Sequence, residues 1–275
     1  MNQNISGFLN RRACPNCQGV KSATTYFSAE RSVLRCQECD FVYLPFAAEP
    51  AYFVDGDGAW ENAQVANIER RLETAPLRMR LSLSTRFRTK FLKKTPVAYL
   101  NRHFSEMNAC QIKVLDIGCG SGGYLQSLDE RYVPFGIELS NELWQSANIS
   151  FQARGGFAVH GATVDVISEF DAGSLDAVVM RSYLEHEAEP KRVLISCREL
   201  IKADGVIVLK VPNFASINRG VMGESWCGFR FPDHVNYFTP KSLTRMAAAA
   251  GFRTVQRFAD KLPTSDNMWA VLIPE

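Results

Sequence analysis

The chain has 275 residues, 46% of them hydrophobic, which is enough for a full core and more than one domain usually needs. Lysine and arginine total 31 against 29 aspartate and glutamate, a formal net charge of +2, so no whole-chain attraction to nucleic acid or to an anionic membrane is expected. No apolar run approaches the roughly 18 residues of a membrane span, and the opening MNQNISGFLNRR lacks the apolar stretch of a secretory leader; the expectation is a cytoplasmic protein without a membrane span.

Four of the eight cysteines form two C-x-x-C pairs, Cys14-Pro15-Asn16-Cys17 and Cys36-Gln37-Glu38-Cys39, with 18 residues between them. In a chain of this length without a leader, that pattern points to a metal rather than to disulfides. Two tight turns at this spacing bring four thiolates around one Zn²⁺, with TTYFS and SVLR as short ribbon strands between them. A unit of about 40 residues is too small to be held by its apolar core, so the metal is expected to supply folding free energy. Four sulfur ligands, Cys14, Cys17, Cys36 and Cys39, leave no open position for a reacting group, which makes the zinc structural. The ribbon is placed at residues 1–48.

Residues 49–109 read as a connector and helical cap. The aromatic stretch FVYLPFAAEPAYFVDGDGAW is punctuated by Pro and Gly, and from Glu61 to about Met107 the pattern turns helical. Leu83, Phe87 and Phe91 make an apolar stripe, and Arg86, Arg88, Lys90, Lys93 and Lys94 fall mostly elsewhere. The plain reading is a solvated basic face; the sharper one is a site for an anionic substrate or RNA.

The segment KVLDIGCGSGGYL opens the third unit, 110–275, as a buried strand running into a glycine-rich turn and a helix. Gly118, Gly120 and Gly123 satisfy a dinucleotide fingerprint, but Asp116 at the strand tip would repel a pyrophosphate. Its charge suits a ligand with an ammonium and a sulfonium and no phosphate, as in S-adenosylmethionine. Twenty residues after Gly118, the apolar strand VPFGI ends at Glu138, where a carboxylate can accept hydrogen bonds from two ribose hydroxyls. Further on, GSLDAVVM and DGVIVLKVPN read as strands and EPKRVLISCREL as an amphipathic helix with Pro190 in its first turn. Thr239-Pro240 opens a helix that stops at Gly251, and the strand-like runs FRTVQRFAD and NMWAVLIP follow with no helix between them, so they should pair antiparallel.

With VLDIGCGSGGYL, FGIELS, LDAVVMRSYLEH, KADGVIVLKVPN and FPDHVNYFTPKSL in place, residues from about 112 to 275 resemble the class I S-adenosylmethionine-dependent methyltransferases. The resemblance implies an α/β fold, a Rossmann-like seven-stranded sheet with an antiparallel last strand, here preceded by a small zinc ribbon and a helical connector. It further implies that Asp116, Ile117 and the loop Gly118, Cys119, Gly120 hold the methionine and ribose end of the cofactor. Glu138 would hold the ribose, Leu139 would border the adenine, and Arg181 would sit near the cofactor. Many relatives carry G-D-A near the adenine where this chain reads Gly161-Ala162-Thr163, so no acidic adenine contact is assigned there. A zinc module ahead of such a domain resembles bacterial methyltransferases of sugar-nucleotide and natural-product intermediates. Sugar C-methyltransferases of that kind usually carry a further C-terminal domain, whereas the last run here, NMWAVLIP, reads as the final strand of the sheet, so sugar C-methylation is the weaker expectation.

Methyl transfer is an in-line displacement that needs alignment and, for some acceptors, a base. Glu185, His186 and His234 are the candidates, because they follow the fourth strand and the fifth, where crevice loops are found, and an imidazole titrates near neutrality. The SYLEH segment also resembles the E-x-x-E-H motif of Mg²⁺-dependent small-RNA and some quinone O-methyltransferases. Its first glutamate falls on Ser182, which leaves a hard cation poorly neutralised. The leading expectation is methylation of a small-molecule acceptor that is hydroxylated, sugar-like or carrier-linked. RNA methylation by the ribbon and basic helix is the alternative, disfavoured by the net charge, and a non-catalytic scaffold is the third reading.

Overall fold

A computed structural model describes residues 9–28, 31–50, 53, 96–105, 111–255 and 263–275. The expected stripe of Leu83, Phe87 and Phe91 and the neighbouring basic residues lie outside them.

The N-terminal unit is built on β1 (Leu9–Arg11), β2 (Ser22–Ser28), β3 (Arg31–Cys36), β4 (Val42–Tyr43) and β5 (Phe46–Ala48). β2, β3 and β4 form consecutive antiparallel pairs, and β1 pairs with β5. Both cysteine turns close in the same way. Gln18 N–H donates to Cys14 O at 2.8 Å and Asp40 N–H to Cys36 O at 3.1 Å; Cys14 N–H donates to Gly19 O and Cys36 N–H to Phe41 O. Gln18 and Asp40, each the residue after the second cysteine of its pair, both have φ of 62°, the left-handed turn that folds the chain back beneath the thiols.

The main sheet is made of β6 (Ile112–Ile117), β7 (Tyr132–Glu138), β8 (Phe157–His160), β9 (Leu175–Arg181), β10 (Ile201–Pro212), β12 (Phe252–Val255) and β13 (Asn267–Pro274), in the order β12-β13-β10-β9-β6-β7-β8. β6 to β10 are mutually parallel, and β13 is reversed between β10 and β12, the Rossmann-like sheet with a reversed last strand that the sequence implies. The parallel strands read as near-continuous Val, Ile and Leu because both faces are covered; in β9 every residue but Arg181 is buried. Helices α1 (Pro96–His103), α2 (Gly123–Gln126), α3 (Asn141–Gln152), α4 (Thr163–Val166), α5 (Pro190–Leu200), α6 (Ile217–Met222) and α7 (Pro240–Ala249) connect or flank the strands. Pro190 and Pro240 take the first turns of their helices, and Thr239 and Ser242 form a reciprocal capping box on α7.

The segment between β10 and α7 is the least regular part. It carries β11 (Asn236–Tyr237), which pairs not with the main sheet but with β4, extending the ribbon sheet to the order β11-β4-β3-β2. Val33, Val42 and Leu44 of the ribbon therefore share one apolar cluster with Phe214, Trp226, Phe229 and Tyr237, whose rings meet at centroid distances of 5.3–6.1 Å. The Asp266 carboxylate, just before β13, staples this lobe by accepting from Trp226 Nε1 at 2.7 Å, Asn218 Nδ2 at 2.7 Å and Ser216 Oγ at 3.0 Å. Asp266→Ala would strand the buried indole N–H, and a loss on the order of 2–4 kcal/mol is expected in urea unfolding. A loss below about 0.5 kcal/mol would show that the lobe is held by its rings alone.

Candidate active site

From β6 the chain moves outward through β7 to β8, then returns to the other side of β6 as β9. The carboxyl ends of β6, β7 and β9 therefore open a crevice at this reversal. Asp116, at the end of β6, is 1% exposed, and neither carboxylate oxygen meets a hydrogen-bond donor among the described residues. Burial pushes its pKa up to about 7, Arg181 opposing and Glu138 adding to the rise. The turn after it needs left-handed backbone at Gly118 (φ 74°) and Gly120 (φ 56°), and a side chain at Gly118 would also press on the Tyr183 ring 3.2 Å away. Glu138 braces this turn, accepting from Gly120 N–H at 2.7 Å through Oε2 and from Ser140 N–H at 2.9 Å through Oε1. Each oxygen keeps a second lone pair, so the carboxylate can still meet hydroxyls.

The side chains of Ile117 and Cys119 are packed in the core, which leaves their main chain for a ligand. Leu139 O lies 2.9 Å from His160 Nε2, and the His160 ring packs at 5.4 Å on Trp144. The Arg181 guanidinium sits 3.9 Å above the Tyr124 ring. Sequence reasoning singled out none of Trp144, His160, Tyr124 and Tyr183; Tyr124, two positions past Gly122, and Tyr183, three past Met180, carried the available signal.

Past the end of β9, Ser182 has φ of 58°, an unusual left-handed conformation for a side-chain-bearing residue, and its N–H donates to Lys210 O at 2.9 Å. This kink turns the chain from β9 toward Glu185 and His186. His186 Nδ1 lies 3.1 Å from Asp233 O and His234 Nδ1 lies 2.9 Å from Gly228 O. Both rings therefore donate from Nδ1 to a main-chain carbonyl and turn Nε2 away from it. The rings meet edge-on at 4.7 Å, and ligand atoms of Glu185, His186 and His234 lie within 4.8 Å of one another. The structure thus brings together the three predicted residues, in a constellation that could hold either a proton or a cation. Glu185 is fully buried; burial raises its pKa to about 8, with Lys210 and Arg230 pulling it back. Burial, and then the Arg230 charge, lower His186 to about 3, so the ring is neutral around pH 7. Arg230 in turn donates to Asp233 Oδ2 at 2.9 Å.

The four ribbon cysteines also converge. Cys14 and Cys39 have sulfurs 3.5 Å apart, as do Cys17 and Cys36, and all four lie within 4.8 Å of one another. Zinc–sulfur bonds of about 2.3 Å in a tetrahedron require sulfur separations of about 3.8 Å, so the set fits zinc. Burial pushes the Cys14 thiol up, a penalty on the thiolate that a bound cation would remove.

A family model described as a methyltransferase domain matches residues 69–257. Among curated proteins, the ubiquinone biosynthesis O-methyltransferase of Aromatoleum aromaticum is 27% identical over 152 residues, covering 52% of this chain and 65% of that protein. The protein of the same name from Paraburkholderia phymatum is 28% identical, again over 52% and 65%. The chain thus spans just under two thirds of the length of these relatives. A SAM-dependent methyltransferase of solved structure from Archaeoglobus fulgidus is 18% identical, with a TM-score of 0.47, over 70% of this chain and 99% of that one.

The raised pKa of Asp116 has a signed consequence. The folded protein keeps a proton that the unfolded chain releases between about pH 4 and 7, so this group lowers stability progressively as pH rises through that window. Asp116→Asn should remove this part of the slope, an effect on the order of a few kcal/mol. Unfolding midpoints measured from pH 4.5 to 8 would check it; a difference between variant and parent that is constant with pH would contradict it.

Proposed function

The chain belongs to the methyltransferase-domain family, and from that premise we propose that it transfers a methyl group from S-adenosylmethionine to a hydroxyl of a small-molecule acceptor. The observation that carries this reading is Asp116, a buried carboxylate beside the glycine turn whose two oxygens meet no donor among the described residues. Such a group suits the positive end of a ligand and disfavours a pyrophosphate. Glu138, braced by Gly120 and Ser140, offers its remaining lone pairs to the ribose, and Arg181 on Tyr124 closes the same rim. The names of the curated relatives, ubiquinone biosynthesis O-methyltransferases, support oxygen as the accepting atom, and the acceptor class is a hydroxylated, sugar-like or carrier-linked intermediate.

The cofactor supplies a methyl group on a sulfonium, which leaves as a neutral thioether. The chain's own residues align the acceptor and take the hydroxyl proton as the new O–CH₃ bond forms. His234, whose Nδ1 is held by the Gly228 carbonyl, is the proton acceptor in the crevice, with His186 and Glu185 beside it. A second reading is favoured by the convergence of these three residues. Two imidazoles and one carboxylate suit a borderline divalent cation better than Mg²⁺, and such an ion would orient the acceptor oxygen. The RNA reading rests on the basic stretch at 86–94, which lies outside the described residues. No helix of the described residues is long and apolar enough to cross a membrane.

Calorimetric titration should show micromolar binding of S-adenosylmethionine and none of NAD or NADP; the reverse pattern would end the methyltransferase proposal. Glu138→Ala should weaken the cofactor by about 1–3 kcal/mol, and unchanged affinity would remove Glu138 from the site. Elemental analysis of the purified protein should find one zinc per chain, lost in Cys36→Ser. A second equivalent that disappears in His234→Ala would favour the cation reading over the base, while a zinc-free parent would refute the ribbon assignment.

A further inference from the structure

We propose that the ribbon sets the geometry of the acceptor side of the crevice, with Arg12 as the positioning residue that joins them. Arg12 lies two residues before Cys14. Its guanidinium donates from Nε to Leu44 O at 3.0 Å, from Nη1 to Ala188 O at 2.9 Å, and from Nη2 to Val235 O and to Asn236 Oδ1, the last at 3.0 Å. These four acceptors sit on three segments: the ribbon after β4, the turn that carries Glu185 and His186, and the loop that carries His234. A planar, permanently charged fork is the side chain able to bridge them at fixed angles.

Asn236 completes the linkage. Its Oδ1 accepts from Arg12, and its Nδ2 donates to Leu184 O and Glu187 O, each at 2.7 Å, bracketing Glu185 and His186 on both sides. Val235 N–H and Asn236 N–H both donate to Glu185 O, at 2.8 and 3.1 Å. The residue after His234 is thereby tied to the backbone of Glu185, and β11 is zipped to β4 through Asn236↔Tyr43 and Tyr237↔Val42. Leu44 N–H donates to Val235 O at 2.9 Å. Both cysteine turns have their own anchors: Lys191 Nζ donates to Asn16 O at 3.2 Å and Arg245 Nη1 to Cys39 O at 3.3 Å. Phe41 meets Phe238 edge-on at 5.3 Å. By contrast, Asp116, Gly118, Gly120 and Glu138 are positioned by β6, β7 and each other, so the ribbon governs the acceptor half and not the cofactor half.

This inference takes the crevice to be the methyl-transfer site, but its test does not need turnover. Hydrogen-exchange mass spectrometry on full-length Arg12→Ala should show at least tenfold faster amide exchange in 183–188 and 233–237. Exchange in β6 and β7 and the affinity for S-adenosylmethionine should change less than twofold. Nitrogen-15 NMR of the imidazoles should show that His186 and His234 lose their fixed Nδ1–H tautomers in the variant, a signature that a general loss of stability does not produce while the cofactor still binds. Arg12→Lys keeps the charge but cannot span the four acceptors, so the tautomer signal should not recover. Removing zinc from the parent protein with a chelator should accelerate the same two segments, which supplies the test should Arg12→Ala fail to fold. Unchanged exchange and tautomers in a cofactor-binding Arg12→Ala protein, or in chelated parent, would overturn the proposal. Failure of the parent to bind the cofactor would overturn the methyltransferase reading and leave the exchange result standing on its own.

Discussion

A guanidinium partly withdrawn from water needs its hydrogen-bond partners in place, and at Arg12 those partners come from three stretches of chain far apart in sequence. Burial lowers its pKa to about 10, with Tyr43 and Glu187 opposing, so the group remains charged around pH 7 and cannot escape its need for acceptors. The ribbon, the turn after β9 and the loop before α7 must consequently assemble together. The cysteine turns are the rigid end of that assembly, because both close with the same pair of backbone bonds and the same left-handed residue.

On this frame the crevice carries two buried acids in different surroundings. Asp116 faces the glycine turn and Glu185 faces the two imidazoles, and both are held toward the protonated form by burial. Between them run Arg181 and Lys210, paired in register across β9 and β10, and the left-handed Ser182 separates the two halves of the site. One end of the sheet thus carries a buried carboxylate beside the glycine turn and, apart from it, a buried carboxyl beside two imidazoles. Arg230 reinforces the distinction, since it opposes protonation of His186 while pairing with Asp233.

Much of this was legible in the residues. The strand–glycine–helix passage at Ile112–Gly123, the acidic strand ends at Asp116 and Glu138 and the two C-x-x-C turns each impose a local geometry, and the structure brings each set together as that geometry requires. Glu185, His186 and His234 could be nominated together as crevice residues, but their spacing depends on Asn236 and on carbonyls of Asp233 and Gly228, which carry no side-chain signature. Arg12 was invisible for a related reason. One arginine among 31 basic residues has no periodicity, and β11, only two residues long, makes no pattern that would have linked the ribbon to the far end of the chain. The ribbon therefore read as a separate module, although its sheet is completed by residues 236–237.

The reversed strand β13 lies inside the sheet, between β10 and β12, yet about fifty residues separate it from β10. During synthesis at about 5–20 residues per second, β10 has a bare, apolar hydrogen-bonding edge for several seconds before its neighbour exists. β12 is made first and has no partner in the sheet without β13, so it cannot cover that edge. A nascent chain of this protein passes through an interval in which an unpaired strand is open to other chains, an exposure that the stability of the finished fold does nothing to shorten.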